Sequence, residues 1–198
     1  MKAANSLKKL LVSSSRRKLI QVLFSDPTEI YYVRQLVRLC KEEINSIRRE
    51  LANLKSADIL LSEPRGNRLY YSANQNCPLY PELVSFASKM SGFAKNILDK
   101  KSLIGRIDWV LLSPHFLTHK EDVPADYVDL IIIGQISLKE IASIIKKEEE
   151  SRGREINYMV MDKNELKLRK SKRDPFLVDF FLDCPHIIIG NPQKLSQV

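Results

Sequence analysis

A chain of 198 residues and 22.8 kDa fits one or two domains, and its 44% hydrophobic content is enough to build real cores, which excludes a disordered chain. No run approaches the roughly 18 apolar residues of a membrane span, and the opening MKAANSLKKLLVSSSRR lacks the apolar stretch and cleavage site of a signal peptide, so a cytoplasmic protein is expected. The formal charge of +8 is confined to one half: residues 1–100 carry 17 Lys/Arg against 9 Asp/Glu, and residues 101–198 carry 15 of each. That asymmetry fits a polyanion-binding module followed by a charge-balanced one, and equally a solvated basic surface.

In chain order, Ser14 or Ser15 can cap a first helix over residues 16–24, with Leu19, Ile20, Leu23 and Phe24 on its apolar face. A short extended piece over 29–32 precedes a second helix over 33–40, with Val33, Leu36, Val37 and Cys40 inward. Next, Ile44, Ile47, Leu51 and Leu54 recur at three- and four-residue steps, so a third helix turns Asn45, Ser46, Arg48, Arg49, Ala52 and Lys55 outward. Glu42 and Glu43 sit where the start of that helix favours negative charge. Residues 59–61 and 69–71 are two β-prone runs joined through Pro64, Arg65, Gly66, Asn67 and Arg68, which gives a hairpin with a cationic tip. Three helices and a hairpin over residues 1–76 make a winged helix-turn-helix.

A long linking helix is predicted over residues 81–100, inside a linker or dimerisation segment spanning 77–103. Leu83, Ala87, Met90, Ala94 and Ile97 follow a heptad-like spacing that serves either a homodimer contact or packing onto the next domain. From residue 104 to 198, strands alternate with helices, which predicts a separate small α/β domain within an overall α+β chain. Strands are expected over 107–112, 127–133 (ended by Gly134), 156–161 and 186–190, and helices over 138–152, 164–170 and 175–182.

Cys40, Cys77 and Cys184 are odd in number and far apart, which argues against a disulfide framework or zinc knuckle. His115, His119 and Asp122 have ligand-like spacing in a loop, where such residues occur routinely, and no metal is assigned there. A basic run over 167–173 reads as a solvated helix face. No Walker loop, Rossmann fingerprint or Ser-His-Asp order is present, and no cofactor is expected.

Residues 13–76 resemble the ArsR-type winged-helix transcriptional regulators, through Arg49-Glu50-Leu51, the passage from Leu54 through Ala57-Asp58-Ile59-Leu60, and the return strand Gly66-Asn67-Arg68-Leu69-Tyr70-Tyr71. That resemblance implies a dimer on double-stranded DNA with the third helix in the major groove and the wing on the backbone, so Asn45, Ser46, Arg48, Arg49, Lys55, Arg65, Asn67 and Arg68 are the DNA-binding candidates. Arsenic-sensing relatives use a cysteine pair near the second helix, where this chain has Cys40 alone.

The second half resembles the minimal nucleotidyltransferase domain found behind such winged helices, on the order of the segments VLLS, VDLIIIG, SLKEI, GREIN and HIIIG. Active members carry Gly-Ser and three carboxylates that hold magnesium. Here Leu112-Ser113-Pro114 replaces Gly-Ser, Tyr127 the first aspartate and Asn157 the third acidic position; Asp129 alone persists, as a vestigial or structural carboxylate, and Asp126 falls on the wrong strand face. A DNA-binding transcriptional regulator, a repressor, with a catalytically inactive second domain is the expectation. An active nucleotidyltransferase and an antitoxin-like partner of another protein are the alternatives.

Overall fold

In the computed structural model, which describes residues 13–117 and 127–197, Ser13 caps helix α1 (Ser14–Ser25) by accepting from the Arg16 N–H. Helix α1 buries Leu19, Ile20, Leu23 and Phe24, the face expected from their spacing. A two-residue strand β1 (Tyr31–Tyr32) leads into α2 (Val33–Cys40), and Lys41 in the left-handed region turns the chain into α3 (Ile44–Ser56). Strands β2 (Leu60–Arg65) and β3 (Arg68–Ala73) form the hairpin with Arg65 opposite Arg68, so only Gly66 and Asn67 make the turn. Strand β1 pairs with β3, giving a three-stranded antiparallel sheet in the order β1-β3-β2.

Two carboxylates fasten α1 to α3. Glu42 accepts from Lys18 at 2.6 Å and from Ser14 at 2.9 Å, while Glu43 caps α3 through the N–H groups of Asn45 and Ser46, as expected for charge at a helix start. Glu50, on α3, is buried and accepts from Ser13 at 2.7 Å and from the Arg16 guanidinium at 2.8 Å. Burial opposes its charge, yet those two donors outweigh burial and hold the carboxyl below its usual range. A lowered folded-state pKa stabilises the fold above the unfolded value of about 4.3 and loses that contribution as pH falls through the folded value. Urea unfolding followed from neutral pH to about pH 3 is therefore expected to show a smaller acid-induced loss in Glu50→Gln than in the native chain; parallel curves would refute the pairing.

The predicted single linker helix is corrected. Helix α4 (Tyr80–Met90) ends at Ser91, whose extended backbone and whose hydroxyl, bonded to the Ala87 carbonyl at 3.1 Å, compete with continuation of the helix. Gly92 then has φ 67°, and helix α5 (Gly92–Asp99) starts afresh. The chain divides into two units at this point, residues 1–92 and 93–198. Of the five seam residues, Ala87 is buried in the first unit, where α4 packs along α1, and Ala94 and Ile97 are buried in the second. Three of the five seam residues are thus used inside their own units, and the helix that was to carry them is interrupted at Ser91-Gly92.

In the second unit a short helix α6 (Lys101–Ile104) feeds β4 (Gly105–Leu112), followed by α7 (Pro114–Leu117), β5 (Leu130–Ile136), α8 (Leu138–Arg152), β6 (Tyr158–Met161), α9 (Lys163–Ser171), α10 (Pro175–Leu182), β7 (His186–Ile189) and α11 (Pro192–Ser196). The sheet order is β6-β5-β4-β7, with β5 parallel to β6 and β4 antiparallel to both its neighbours. Residues 130–133 are all fully buried, which requires cover on both faces and makes β5 central as expected. On one face Trp109, Leu111, Ile131 and Ile133 meet Leu166, Leu177, Phe180 and Leu195 from α9, α10 and α11.

Gly134 does not end its strand. It continues β5 at φ 155° opposite the register shift between Ile107 and Trp109, and an added Cβ would lie 2.2 Å from the Arg106 carbonyl oxygen. That neighbour is backbone and cannot swing aside. Gly134→Ala is expected to destabilise by about 3 kcal/mol or more, read as a shift in urea midpoint, and a change under about 0.5 kcal/mol would contradict this close approach. The whole is a mixed α and β chain with two small sheets, and among the described residues no helix is long and apolar enough to cross a membrane.

Candidate nucleic-acid interface

The outward face of α3 is a polar stripe. Asn45, Arg48, Arg49, Ala52 and Lys55 are exposed, while Ile47, Leu51 and Leu54 are buried. Ser46 is half-buried, and its hydroxyl lies 2.8 Å from that of Ser15 on α1.

Arg48 also borders a cleft of about 960 Å³ between α2, α3 and the hairpin. Its walls are Tyr32, Val33, Arg34, Val37, Arg38, Arg48, Asn67, Arg68, Leu69 and Tyr71. Among the described residues, four guanidinium groups and no carboxylate line it. Three of the sequence candidates, Arg48, Asn67 and Arg68, therefore share one concave surface; Asn45, Arg49, Lys55 and Arg65 do not line it.

Tyr32 organises the cleft. The Arg38 guanidinium donates to its hydroxyl at 3.0 Å, and the Arg68 guanidinium lies 4.8 Å from its ring centre. The Tyr70 ring meets it edge-on at 5.9 Å, and Arg65 lies 5.6 Å from the Tyr70 ring centre. Because Tyr32 and Tyr70 face each other across the β1–β3 pairing, the same aromatic pair fixes the hairpin against α2 and sets the positions of its arginines. Arg65 is additionally paired with Glu63 at 2.9 Å, which takes up part of its charge; both groups are exposed.

Arg34, Arg38 and Tyr32 were not singled out by sequence. Arg34 and Arg38 stand four residues apart on a helix that buries Leu36 and Cys40, and that spacing was the available signal. Cys40, the last residue of this helix, is buried, and burial pushes its thiol up to about 11 and leaves it protonated at neutral pH.

In the second unit, Asp129 stands one residue ahead of β5 and is 2% exposed. Both carboxylate oxygens accept from Arg154 at 2.8 Å, and Oδ2 also accepts from the Asn157 N–H at 3.1 Å. Its backbone closes the same junction: the Asp129 N–H donates to the Asn157 carbonyl at 2.8 Å, and the Ser113 N–H donates to the Asp129 carbonyl at 2.9 Å. The pairing raises the Arg154 pKa further above its already high value. Asp129 thus holds a bidentate guanidinium, and one of its oxygens also holds an amide.

Nearby, Ser113 is fully buried and accepts from the Phe116 N–H at 3.0 Å. The Tyr127 hydroxyl donates to Asp183 at 2.7 Å; burial first, and that acceptor second, raise its pKa strongly. Of the loop trio His115, His119 and Asp122, the last two lie outside the described residues, as does Asp126; among the described residues no group of three or more His, Cys, Asp or Glu is arranged to hold a metal. The basic run over 167–173 is a largely exposed face, with Arg169 engaged by Glu165 and Asp174. Comparison of the chain with protein-family models, with curated proteins and with solved structures finds no match.

Proposed function

We propose that this chain is a DNA-binding transcriptional regulator, acting as a repressor and a homodimer, in which the first unit is a winged helix-turn-helix and the second a nucleotidyltransferase-like domain without catalytic activity. The observation that carries the reading is the cleft bounded by Arg34, Arg38, Arg48 and Arg68, lined by no carboxylate among the described residues, beside the exposed polar stripe of α3. Guanidinium groups held at fixed spacing between a helix and a hairpin suit the phosphates of a duplex backbone, and the stripe suits base edges. The inactive second domain is supported by Asp129, whose oxygens already serve Arg154 and an amide, leaving no free carboxylate pair to bridge a metal to phosphates.

Fluorescence anisotropy on genomic fragments selected by the protein tests the first part. Arg48→Ala is expected to cost about 1–3 kcal/mol on the selected site and far less on unrelated duplex, if it reads a base. Arg68→Ala is expected to weaken both alike, as a phosphate contact does. Failure of the native protein to bind any duplex in a salt-dependent way would overturn the reading. Incubation with labelled nucleoside triphosphates and magnesium or manganese tests the second part, with no incorporation expected; incorporation would promote the nucleotidyltransferase alternative.

A further inference from the structure

Helix α2 presents two rows of side chains to the arginine-lined cleft. Val33 and Val37 stand one turn apart, and Arg34 and Arg38 stand one turn apart beside them, so an aliphatic row runs along a cationic one. The two valines, expected inward from their spacing, are only half-buried, whereas Leu36 and Cys40 take the core positions. The hairpin supplies the same two kinds of group to the cleft, Arg68 and Leu69, the latter 38% exposed. At about 960 Å³ the cleft is within the range of ligand sites, which combine apolar lining with a few convergent polar groups.

That lining selects its occupant. Four guanidinium groups, with no carboxylate lining the cleft among the described residues, suit an anion with several negative charges. Two of them are held in place before any ligand arrives, because Arg38 donates to the Tyr32 hydroxyl at 3.0 Å and Arg68 lies 4.8 Å from the centre of the same ring. Val33, Val37 and Leu69 suit an apolar body on that same anion. A duplex backbone meets the first demand and not the second, since its base faces are stacked away inside. Inorganic phosphate also lacks the apolar body, and a fatty acid brings a single charge to four cations. A mononucleotide with a phosphate chain brings a flat base and several charges in one molecule.

We infer that this cleft binds a free nucleoside polyphosphate, with the base against Val33, Val37 and Leu69 and the phosphates among the four guanidinium groups. Nucleotide and duplex then compete for Arg48 and Arg68, so the nucleotide releases the protein from DNA. That consequence, unlike the binding itself, rests on the function proposed above.

Isothermal titration calorimetry of the whole protein with adenosine triphosphate, guanosine triphosphate, inorganic tripolyphosphate and adenosine, in metal-free buffer of fixed ionic strength, tests the binding. At least one nucleoside triphosphate is expected to bind, tripolyphosphate more weakly and adenosine not measurably. Arg34→Ala should weaken nucleotide and tripolyphosphate alike, by about tenfold. Leu69→Ser should weaken the nucleotide by about fivefold and leave tripolyphosphate unchanged. Both side chains are exposed, so both variants are expected to keep the native circular dichroism and melting. No nucleotide binding, equal affinity for nucleotide and tripolyphosphate, or nucleotide binding unmoved by either substitution would overturn the proposal, the last by putting the nucleotide elsewhere on the chain. Adding the nucleotide to the protein on a labelled duplex should lower the anisotropy, and nucleotide bound without displacing duplex would also overturn it. If the nucleotide binds as stated while no duplex binds at all, the cleft site stands and the regulator reading falls, so the two failures are told apart.

Discussion

Removing the four guanidinium groups of the cleft together, by Arg34→Ala, Arg38→Ala, Arg48→Ala and Arg68→Ala, is expected to weaken binding to any duplex by two to three orders of magnitude. Each phosphate neutralised contributes about 0.9 to the slope of log affinity against log salt, so the slope should flatten by about 3 to 4. The control removes equal charge elsewhere: Lys139, Lys146, Lys147 and Lys167 are exposed on the second unit and their replacement by Ala should change the slope little. If both quadruple variants lose affinity alike, net charge and not the cleft drives binding. All four residues are exposed and none belongs to the hydrophobic core, so the fold should survive. Arg38 and Arg68 do hold Tyr32 from two sides, and a modest melting-temperature loss from that contact is expected.

The second large effect is on stability. Asp129→Asn removes one charge from a bidentate pair whose carboxylate is buried and leaves Arg154 facing a neutral amide that can accept only one of its two hydrogen bonds. Breaking a buried ion pair from one side costs about 3–5 kcal/mol; because Arg154 is partly solvated, about 2–4 kcal/mol is expected here. The same change also weakens the link to Asn157, which ties the start of β5 to the start of β6. Changing both partners, Asp129→Asn with Arg154→Met, should cost less than the sum of the single changes, because neither charge is then left alone. Urea unfolding of the four proteins measures this. Additive costs, or a cost under about 0.5 kcal/mol for Asp129→Asn alone, would mean that the pair has no role in stability.

What the sequence disclosed follows a physical line. Ile44, Ile47, Leu51 and Leu54 state their helix and its inward face through local periodicity alone, and the pair Gly66-Asn67 between two β-prone runs states the hairpin; both are found as expected. Contacts between distant segments carry no such local signature. Glu50 is buried because Arg16, 34 residues earlier, meets it, and Asp129 is satisfied by Arg154, 25 residues later. Neither partner is marked by spacing. The linker helix misled for the opposite reason: the heptad-like spacing of Leu83, Ala87, Met90, Ala94 and Ile97 runs unbroken through Ser91-Gly92, although the backbone does not. Periodicity records which side chains seek a core, and two different cores can share one period. Gly134 likewise reads as a strand end, whereas it is the one residue small enough to let β5 pass the bulge in β4.

The break at Ser91-Gly92 has a practical side for anyone dissecting this protein. A truncation after residue 76, where hairpin and linker divide in the sequence, would strip α4 from α1 and bare Leu19, Leu23 and Phe24 along with the ring of Phe24 that Tyr80 covers at 6.2 Å. Such a fragment should aggregate on expression. One ending at Gly92 keeps α4 in place, together with the 2.7 Å bond between Ser25 and Ser91 at its end, and is the piece of the chain to clone when the first unit is wanted alone.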